Sequence, residues 1–571
     1  MTSPVILGLC SFTHDSAAAL IVDGRLVGFA EEERLNGDKH TAAYPEQTIT
    51  WLLAEAGIGP EDVSQVAYNF DGDRYLDALD TTEQHARCAD SGSRARPRAD
   101  SFRKVHARFT QRMAYLREQF VKAEVTSVLH HRTHGLYAFA SSGYDCAAVL
   151  VVDSLGEVQT TTIGSAQRND DRACEYEITE AIGDPASLGY AYGAVTEHLG
   201  WRRGDEEGTV MALAALGDPS RFRDLMRDAI PLTDTGFALH PRWFPLRVLS
   251  SGYPRISPAF TTATCQARAT DDPLEQVHAD LAAALQERTE QVMVHLALRA
   301  RRLTGQRLLV LGGGVAANCV ATGAIVNTGL FDEVHVPPAP GDSGTAIGAA
   351  LAVHLDATGQ LPDDVAGRCY LGPAFRDLHL PPEPRPGLRA HLPAETATFL
   401  ATQLAQGRIV GLFHGALEAG PRALGNRSIL ASPLRPDVVA RLNDRIKFRE
   451  PFRPFAPVVL DSAADTYFTL RQPSPFMSIA SGVTERTRHD VPAVVHRNGT
   501  ARVQTVNPRD NPFLAQVLAA FAQLTGHPML INTSLNIKGK PICGTPGMAL
   551  DCLEASGLDA LMVEGWWVTK C

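Results

Sequence analysis

Two histidines and an aspartate close together in the chain have the chemistry of metal ligands. His130 and His134 lie four residues apart, and Asp153 follows the apolar run Ala147–Val152. On a helix, positions i and i+4 share a face, so the two imidazoles could hold one cation together. The apolar run predicts a buried strand, whose carboxyl end is a usual place for a site in α/β proteins. The spacing alone also fits two structural histidines, because His-x-x-x-His is common by chance.

A glycine-rich turn and a further aspartate occupy strand-to-helix positions later in the chain. Leu308–Leu311 predicts a buried strand that runs into the glycine triplet of Gly312–Asn318. Such a turn lets backbone N–H groups approach a phosphate or nucleoside at a helix N-terminus, although a plain tight turn is the alternative. Asp342 lies between a predicted strand, Val334–Val336, and a predicted helix, Thr345–Val353, in a loop that leaves it free to ligate a metal.

Two stretches of the N-terminal half share one pattern, and this favours a duplicated α/β architecture. SAAALIVDG (Ser16–Gly24) and DCAAVLVVDSLG (Asp145–Gly156) both place small residues before an apolar strand that ends in Asp. Two such halves facing each other would form a cleft suited to a nucleotide, although one match of this size can arise by chance. Asp23-Gly24 also predicts a tight hairpin, because this dipeptide tolerates positive φ angles.

Basic side chains collect in the last third of an acidic chain. They are interleaved with Pro, Gly and Phe, and Asn532-Thr533-Ser534 follows a short apolar run. Guanidinium forks beside hydroxyl and amide donors are what a small phosphate dianion needs, and Pro and aromatic residues favour loops that are held in place. The alternative is a set of surface charges on separate faces. The basic residues are Arg422, Arg427, Lys447, Arg449, Arg453 and Arg502.

Length, composition and charge restrict the class of protein. At 571 residues the chain is too long for one hydrophobic core, and its apolar (44%) and charged (20%) fractions are those of a globular protein. It has no apolar run of about 18 residues and no signal peptide, so we expect a cytoplasmic protein that does not span a membrane. Ten cysteines without a Cys-x-x-Cys pair favour reduced thiols. The net charge of −11 argues against nucleic-acid binding.

Two stretches have the composition of connecting segments. Residues 356–395 are rich in Pro and Gly and lose periodicity, which predicts a linker between two domains. Thr82–Asp100 is polar, with Gly, Ser and Arg, and predicts a loop.

Motifs along nearly the whole chain resemble one family. In order they are SFTHDSAAALIVDG, AEEERLNGDKH, HHRTH, VVDSLGE, LGGGVAANC, PPAPGDSGTAIGAAL, GPRALGNRS, IKFREPFRPFAP, RVQTV and INTSLN. Together they are similar to those of the O-carbamoyltransferases that act on antibiotics and nodulation factors, including the tobramycin, cephamycin and ansamycin carbamoyltransferases.

The resemblance implies a two-domain α/β fold. Residues 1–355 would form a duplicated actin-like ATPase domain, similar to the threonylcarbamoyl-transferring proteins of tRNA modification. Residues 396–571 would form an α/β domain that resembles threonylcarbamoyl-AMP synthase.

The resemblance also implies that the C-terminal domain activates the carbamoyl group. Carbamoyl phosphate and ATP would give carbamoyl-adenylate, with release of phosphate and pyrophosphate. The positions that match the family's ligands for carbamoyl phosphate and ATP are Arg422, Lys447, Arg453, Arg502, Asn532 and Ser534.

Transfer is implied for the N-terminal domain, with Fe(II) or another divalent metal there and Mg²⁺ accompanying ATP. The positions that match the metal ligands are His130, His134, Asp153 and Asp342. Gly314 and Asn318 match nucleotide contacts, and Glu157 lies near them.

The acceptor side of the reaction rests on a segment near the N-terminus. His14 is the candidate general base on the acceptor hydroxyl, with Asp15 to orient it and Lys39 near the acceptor. The expected partners are ATP, carbamoyl phosphate and a small hydroxylated acceptor, without nucleic acid or membrane and with a homodimer left open.

Two departures from the family pattern leave the acceptor open. The family often has Gly-Lys before a Met-Gly-Leu-Ala stretch, whereas Gly208–Ala214 here contains no lysine. Phe12 gives an apolar entrance ahead of His14. An aminoglycoside fits the negative net charge, whereas the Phe12 entrance favours a polyketide. The alternative functions are threonylcarbamoyl transfer in tRNA modification and a non-catalytic actin-like nucleotide-binding protein.

Overall fold

We describe the protein from a computed structural model, which covers residues 4–77, 79, 92–169, 171–250 and 252–571. These residues divide into two compact units. The first unit comprises the described residues of Met1–Phe12, Ala17–Gly28 and Leu52–Arg368, and the second comprises Thr13–Ser16, Phe29–Trp51 and Cys369–Cys571. Two short N-terminal segments therefore belong with the C-terminal part of the chain. Their partners lie there: the N–H of Phe29, for example, donates to the carbonyl of Leu371 at 3.0 Å.

The first sheet has the strand order β3-β2-β1-β4-β5. Its strands are β1 (Ile6–Cys10), β2 (Ala17–Val22), β3 (Arg25–Glu31), β4 (Gln65–Tyr68) and β5 (Glu124–Ser127). The buried central strand β1 runs antiparallel to β2 and parallel to β4. Asp23 and Gly24 join β2 to β3 with φ of 49° and 70°, which confirms the predicted hairpin.

The second sheet repeats this order. Its strands are β6 (Cys146–Gly156), β7 (Gln159–Arg168), β8 (Cys174–Gly183), β11 (Leu308–Gly312) and β12 (Glu333–His335), in the order β12-β11-β6-β7-β8. Its central strand β6 is likewise antiparallel to the next strand along the chain and parallel to a later one. A separate ribbon pairs β9 (Leu232–Thr233) with β10 (Gly236–Phe237).

The sequence repeat does not align equivalent strands. It matches β2 to β6, whereas strand order makes β6 the counterpart of β1. Both matched strands are buried and apolar, so they share a composition without sharing a place in their sheets.

Eleven helices precede residue 359 in the described part of the chain: α1 (Glu33–Asn36), α2 (Glu46–Ala56), α3 (Ala95–Gln119), α4 (His130–Ser142), α5 (Leu188–His198), α6 (Glu207–Ala214), α7 (Arg223–Ala229), α8 (Pro258–Ala263), α9 (Gln276–Thr304), α10 (Cys319–Thr328) and α11 (Thr345–Thr358). Helix α11 packs against β1 and α4 at very short range, because a Cβ at Gly8 would collide with the carbonyl of Ala346 and one at Gly348 with that of Thr133. The predicted loop Thr82–Asp100 lies outside the described residues up to residue 91, and its last part belongs to α3.

The second unit is built on an eight-stranded sheet with the order β13-β22-β21-β14-β15-β20-β16-β19. Its strands are β13 (Leu388–His391), β14 (Val410–Phe413), β15 (Arg427–Ala431), β16 (Ala456–Leu460), β19 (Gln504–Val506), β20 (Met529–Ser534), β21 (Ala560–Val563) and β22 (Trp566–Lys570), and β17 (Ala480–Gly482) pairs with β18 (Thr500–Arg502) apart from it. The later helices are α12 (Thr396–Ala405), α13 (Val438–Leu442), α14 (Ala464–Tyr467), α15 (Glu485–Asp490), α16 (Pro512–Thr525) and α17 (Pro546–Ala555).

Hydrophobic cores cover both faces of this sheet. Along β14, Val410 and Leu412 point into one core and Phe413 into the other, as the alternation of a strand requires. The predicted linker 356–395 contains a strand of this sheet, β13, which pairs antiparallel with β22. The strand has only four residues, and the surrounding Pro and Gly residues of segment 356–395 gave no sequence signal for it. No helix in the described ranges is long and apolar enough to span a bilayer.

Candidate functional site

The two histidines and two aspartates predicted as metal ligands come together in the first unit. His130 and His134 share one face of α4, and their Nε2 atoms lie 3.0 Å apart. The His130 Nε2 is 3.5 Å from Asp153 Oδ2 and 3.5 Å from Asp342 Oδ1. One donor atom from each of the four residues lies within 4.8 Å of the others.

Local backbone features aim these side chains. Helix α4 begins at His130 and ends before Gly143, whose φ of 71° is that of a left-handed C-cap. The register of β6 with β7 shifts after Val152, so the strand is irregular where Asp153 stands. Asp342 begins a 3₁₀ turn that leads directly into α11.

The ring of His130 is fixed by its surroundings. Its Nδ1 donates to the carbonyl of Asn69 at 3.2 Å, which leaves Nε2 to face the two aspartates. Phe70 stacks on the same ring with 4.1 Å between the ring centroids. A histidine held through Nδ1 and presenting Nε2 has the arrangement of a metal ligand.

Electrostatics in this cluster favour a positive charge between the carboxylates. Burial alone would lower the pKa of His130, but Asp342 and Asp153 hold it well above the usual range. Burial alone would raise the pKa of Asp153, but the hydrogen bond from His130 and the neighbouring histidine charges hold it below the usual range. Two imidazoles and two carboxylates form a mixed N/O set that suits a divalent transition metal, so the residues fit the implied ion.

Glu157, predicted near the nucleotide, lies directly behind His130. Its Oε1 accepts the N–H of Asp71 at 2.9 Å and that of His130 at 3.1 Å, so it satisfies the first free N–H of α4. Burial raises its pKa to about 7, and its backbone is in the left-handed region with φ 51°. This contact supports the metal cluster, and its role in nucleotide binding stays a prediction.

Gly314 and Asn318 also have partners in the first unit. The N–H of Gly314 donates to Asp153 Oδ1 at 2.9 Å, and the Asn318 side chain caps α10 by accepting the N–H of Ala321 at 3.0 Å. The glycine turn is therefore tied to a candidate metal ligand. Its contact with a nucleotide stays a prediction.

A second group forms around Asp15 in the second unit. His14 Nδ1 lies 2.8 Å from Asp15 Oδ2, and His40 Nδ1 lies 2.5 Å from Asp15 Oδ1. Burial alone would raise the pKa of Asp15, but the hydrogen bonds from His14 and His40 hold it well below the usual range. Asp15 and His40 both have left-handed backbones, with φ of 62° and 56°. Such conformations in non-glycine residues concentrate at functional sites.

This group gives His14 the arrangement of a general base. A carboxylate that binds Nδ1–H leaves the lone pair on Nε2 and stabilises the imidazolium that forms on proton uptake. The His14 side chain is 59% exposed, against 18% for that of His40, so His14 is the imidazole an acceptor can reach. Lys39 lies half-buried in the turn before His40.

Around Lys447 the second unit gathers much of the predicted anion site. Lys447 ends a π-helical turn, Asn443–Lys447, and its Nζ donates to the carbonyl of Ser534 at 2.5 Å and to Asn536 Oδ1 at 2.6 Å. It also lies 3.1 Å from Ser534 Oγ. Burial, together with the charges of Arg449 and Arg453, lowers the pKa of Lys447 to about 7.

The guanidinium groups of this region act on each other. Burial and the charges of Arg453 and Arg502 hold the pKa of Arg449 well below its usual range. Arg449 itself is committed to the protein, since it lies over the Phe455 ring and donates to Asn443 and Pro454. Glu450 lies 3.8 Å from Arg453 and offsets part of this charge. A cluster of guanidinium groups of this kind is suited to a phosphate.

The loop that carries Arg422 is fixed by a buried carboxylate and an amide. Glu418 Oε1 accepts three backbone N–H groups, from Leu424, Asn426 and Arg427, at 2.8 to 3.0 Å. Asn532 Nδ2 donates to the carbonyl of Ala423 at 3.1 Å, next to Arg422. The buried Asn532 therefore holds the loop.

Arg427 is not part of the anion site, contrary to its place in the predicted basic set. Its side chain is fully buried and lies 3.6 Å above the Phe413 ring. Its two terminal nitrogens donate to four backbone carbonyls: His414, Gly415, Asn426 and Pro373. Through these hydrogen bonds Arg427 stabilises the loop of residues 414–427.

Several residues of these groups were missed from the sequence. His40 and Glu33 stand in the quoted motif AEEERLNGDKH but had no assigned role, although their types are those of proton-handling groups. Glu418 lies two residues before the motif GPRALGNRS, and Asn536 ends the motif INTSLN. Neither position gave a signal of a contact across the fold. Asn69 acts through its carbonyl, which no side-chain pattern reveals.

Comparisons with known proteins identify the family. Residues 5–351 match the family described as "Carbamoyltransferase N-terminus", and residues 401–570 match "Carbamoyltransferase C-terminus". The chain belongs to the carbamoyltransferase family. This confirms the family predicted from the motifs, and the protein is an enzyme of the carbamoyltransferase class.

Two similar proteins match nearly the full length of this chain. "Uncharacterized protein sll1178" of Synechocystis is 34% identical over 99% of this chain and 96% of its own. "Nodulation protein NolNO" of Sinorhizobium fredii is 32% identical over 98% of this chain and 79% of its own. Among solved structures, T. kodakarensis HypF aligns with 64% of this chain and 50% of its own at 13% identity and a TM-score of 0.33, too low to establish a shared fold.

Proposed function

We propose that this carbamoyltransferase makes carbamoyl-adenylate from carbamoyl phosphate and ATP, and then transfers the carbamoyl group to a hydroxyl of a natural product. The observation that carries the proposal is the arrangement around Lys447. A buried amine with a depressed pKa stands beside Ser534, and the charges of Arg453 and Arg502 act on Arg449 close by. In a carbamoyltransferase, an anion site with this excess of positive charge suits a phosphorylated carbamoyl donor together with ATP.

Activation requires two bond changes in the second unit. Water cleaves carbamoyl phosphate to carbamate and phosphate, and a carbamate oxygen then attacks the α-phosphorus of ATP, releasing pyrophosphate. Arg422, Lys447, Arg453 and Arg502 neutralise the phosphate charge, and Ser534 donates a hydroxyl hydrogen bond. Asn532 holds the Arg422 loop through the Ala423 carbonyl. Mg²⁺ accompanies ATP in this step.

Transfer then uses His14 as the base. The acceptor hydroxyl gives its proton to His14 Nε2 while its oxygen attacks the carbamoyl carbon, and AMP leaves. Asp15 keeps the imidazole in the required tautomer. His130, His134, Asp153 and Asp342 would hold a divalent metal, which we propose is Fe(II) and which supplies Lewis-acid stabilisation of phosphate charge when bound. Glu157, Gly314 and Asn318 are the proposed nucleotide contacts.

The proposed architecture follows the same division of labour. The proposed duplicated actin-like transfer domain lies within residues 1–355, apart from Thr13–Ser16 and Phe29–Trp51, which belong to the second unit. The proposed carbamoyl-adenylate-forming domain comprises residues 396–571, together with those two segments and β13. The common strand order of the two five-stranded sheets supports the duplication.

For the acceptor we propose a small hydroxylated molecule of antibiotic biosynthesis, modified in the cytoplasm. The net charge of −11 gives no support to tRNA as the acceptor. Phe12, the predicted apolar entrance, packs edge-on against Tyr115 with 5.8 Å between centroids and lies under Arg112. This surface combines aromatic faces with a cation, which suits an acceptor that has both apolar and hydrogen-bonding parts.

The test is to incubate the enzyme with ATP, carbamoyl phosphate and a panel of polyketide, aminoglycoside and cephem acceptors. Pyrophosphate release that requires both ATP and carbamoyl phosphate supports the activation step. An acceptor heavier by one carbamoyl group supports transfer. Absence of pyrophosphate and product with every acceptor would contradict the proposal, and product formation on tRNA with a threonyl substrate would favour the tRNA-modification alternative.

A further inference from the structure

The loop of Arg422 is held by side chains from the N-terminal segment of the second unit. Arg34 Nη2 donates to the carbonyl of Gly420 at 2.8 Å, and the Gly420 N–H donates to Glu31 Oε1 at 2.8 Å. Glu31 and Arg34 are 4% exposed, so both contacts are shielded from water. The backbone two residues before Arg422 is thereby clamped from both sides.

The same arginine continues towards the histidines. Arg34 Nη1 lies 2.8 Å from Glu33 Oε1, and Glu33 Oε2 accepts the N–H of His40 at 2.7 Å. His40 in turn binds Asp15, which binds His14. A continuous series of hydrogen bonds and ion pairs therefore runs from Gly420 through Arg34, Glu33, His40 and Asp15 to His14.

Two properties make this series more than a set of neighbours. Glu33 is 6% exposed, so its ion pair with Arg34 and its hydrogen bond from His40 lie in a region of low dielectric constant. Hydrogen-bond networks are stronger in such a region than in water. Asp15 and His40 also have left-handed backbones, which persist only where the surroundings over-determine them. The contacts through Glu33 supply that restraint on the His40 side.

We propose that Arg34, Glu33 and His40 are positioning residues that tie the placement of the general base His14 to the Arg422 loop. The inference rests on the proposed function. Gly420 of the Arg422 loop fixes Arg34, and Glu33 and His40 hold Asp15 and His14 in the geometry needed for the acceptor. Activation and transfer are in this way linked through side chains of the second unit.

The alternative use of these residues is a second cation site, since Asp15, Glu33 and His40 have converging donor atoms. The contacts argue against it. Asp15 Oδ1 and His40 Nδ1 are joined to each other, and Glu33 Oε2 is engaged by the His40 N–H. Asp15 Oδ1, His40 Nδ1 and Glu33 Oε2 are therefore already engaged by groups of the protein.

The test separates the two steps of the reaction. Pyrophosphate release and carbamoylated acceptor are measured together, and the ratio of product to pyrophosphate reports how much adenylate is transferred and not hydrolysed. We expect Glu33→Gln and His40→Asn to keep pyrophosphate release within about twofold of wild type. The ratio of product to pyrophosphate should fall at least about tenfold, because a misplaced general base loses part of its usual contribution of about 10²–10⁴-fold to the rate. Glu46→Gln removes one charge from the exposed first turn of α2 and should leave the ratio unchanged.

A double-variant comparison tests the path itself. Glu31→Gln perturbs the Gly420 end of the series, and His40→Asn perturbs the histidine end. If both residues act through one path, the double variant should transfer about as poorly as the worse single variant. Multiplicative losses, or an unchanged ratio in Glu33→Gln, overturn the inference. If Glu33→Gln unfolds at a lower temperature than wild type, Glu33→Asp, which keeps the charge, must restore the ratio.

Failure of the proposed function has a different signature. A wild-type enzyme that releases no pyrophosphate and forms no product contradicts the two-step reaction and the inference with it. A wild-type enzyme that does both, combined with unchanged ratios in the variants, contradicts the positioning network alone.

Discussion

The Nζ of Lys447 lies 2.6 Å from Oδ1 of Asn536, and burial together with the charges of Arg449 and Arg453 lowers the pKa of this amine to about 7. Cys543 and Cys552 also act on the amine, in the direction that raises its pKa. The amine is therefore poised to take up a proton when an anion arrives.

Carbamoyl phosphate binding should weaken as pH rises through about 7. In the enzyme without ligand Lys447 loses its proton there, whereas the anion binds the charged form of Lys447. Binding at slightly alkaline pH should take up a proton. Calorimetric titration in two buffers with different ionisation enthalpies measures that uptake. Lys447→Arg stays charged, so its affinity should vary much less with pH, and a wild-type affinity independent of pH would show that Lys447 does not titrate on binding.

The folded protein carries a related pH dependence of stability. The pKa of Lys447 is lowered from its unfolded value of 10.5 to about 7, so the unfolded chain binds more protons between these values. The free energy of unfolding should therefore gain a contribution that rises with pH across this window. Urea unfolding of wild type and Lys447→Met at several pH values measures it, and the variant should lack this part of the slope.

Arg422→Ala should lower pyrophosphate release by at least about 100-fold, because the loop loses the guanidinium that neutralises phosphate charge. Carbamoyl-adenylate supplied from outside should still be transferred. Arg435→Ala is the matched control, since Arg435 is 54% exposed and pairs only loosely with Asp437 at 3.6 Å. Equal loss of both steps would contradict the assignment of Arg422 to activation.

His130→Ala should abolish transfer while pyrophosphate release continues, because the two Nε2 atoms and two carboxylates no longer form a complete ligand set. Metal content measured by atomic emission should fall from one divalent ion per chain to a small fraction. His106→Ala removes a surface histidine that pairs with Asp73 at 3.1 Å and should change neither quantity. Retention of the metal in the His130 variant would place the ion elsewhere.

Glu418→Ala should destabilise the protein by about 3 kcal/mol or more, because three buried N–H groups lose one shared acceptor. Glu418→Gln keeps an oxygen at that place and should cost much less. Urea unfolding compares the two, and equal destabilisation would show that the carboxylate charge matters more than the hydrogen bonds.

Local sequence patterns predicted the elements that carry the metal cluster. The i, i+4 spacing placed His130 and His134 on one helix face, and the apolar run before Asp153 forms β6 as expected. These predictions succeed because a helix and a buried strand impose periods that can be read within a few residues. The convergence of Asp342 on the histidines came from the family resemblance, since no local rule joins residues so far apart.

Long-range contacts explain what could not be predicted. Nothing in the sequence near Arg427 distinguishes it from Arg422. Arg427 is nevertheless fully buried, because it is the first residue of β15 and its side chain points into the protein. Nothing near Glu33 shows that its partners are Arg34 on one side and the backbone of His40 on the other. Assignment of Thr13–Ser16 and Phe29–Trp51 to the second unit depends on contacts with residues beyond 368.

The contact between Glu31 and Gly420 spans 389 residues and bears on how the chain is made. The ribosome releases residues 29–51 early, whereas their partners in the second unit appear only near the end of synthesis. Closure of such a distant contact is slow, and the buried charges of Glu31, Glu33 and Arg34 must stay hydrated until it forms. A nascent chain stalled before residue 420 would therefore hold a polar, unfolded segment between β3 and β4 of the first sheet. The second unit would be the last part of the enzyme to mature.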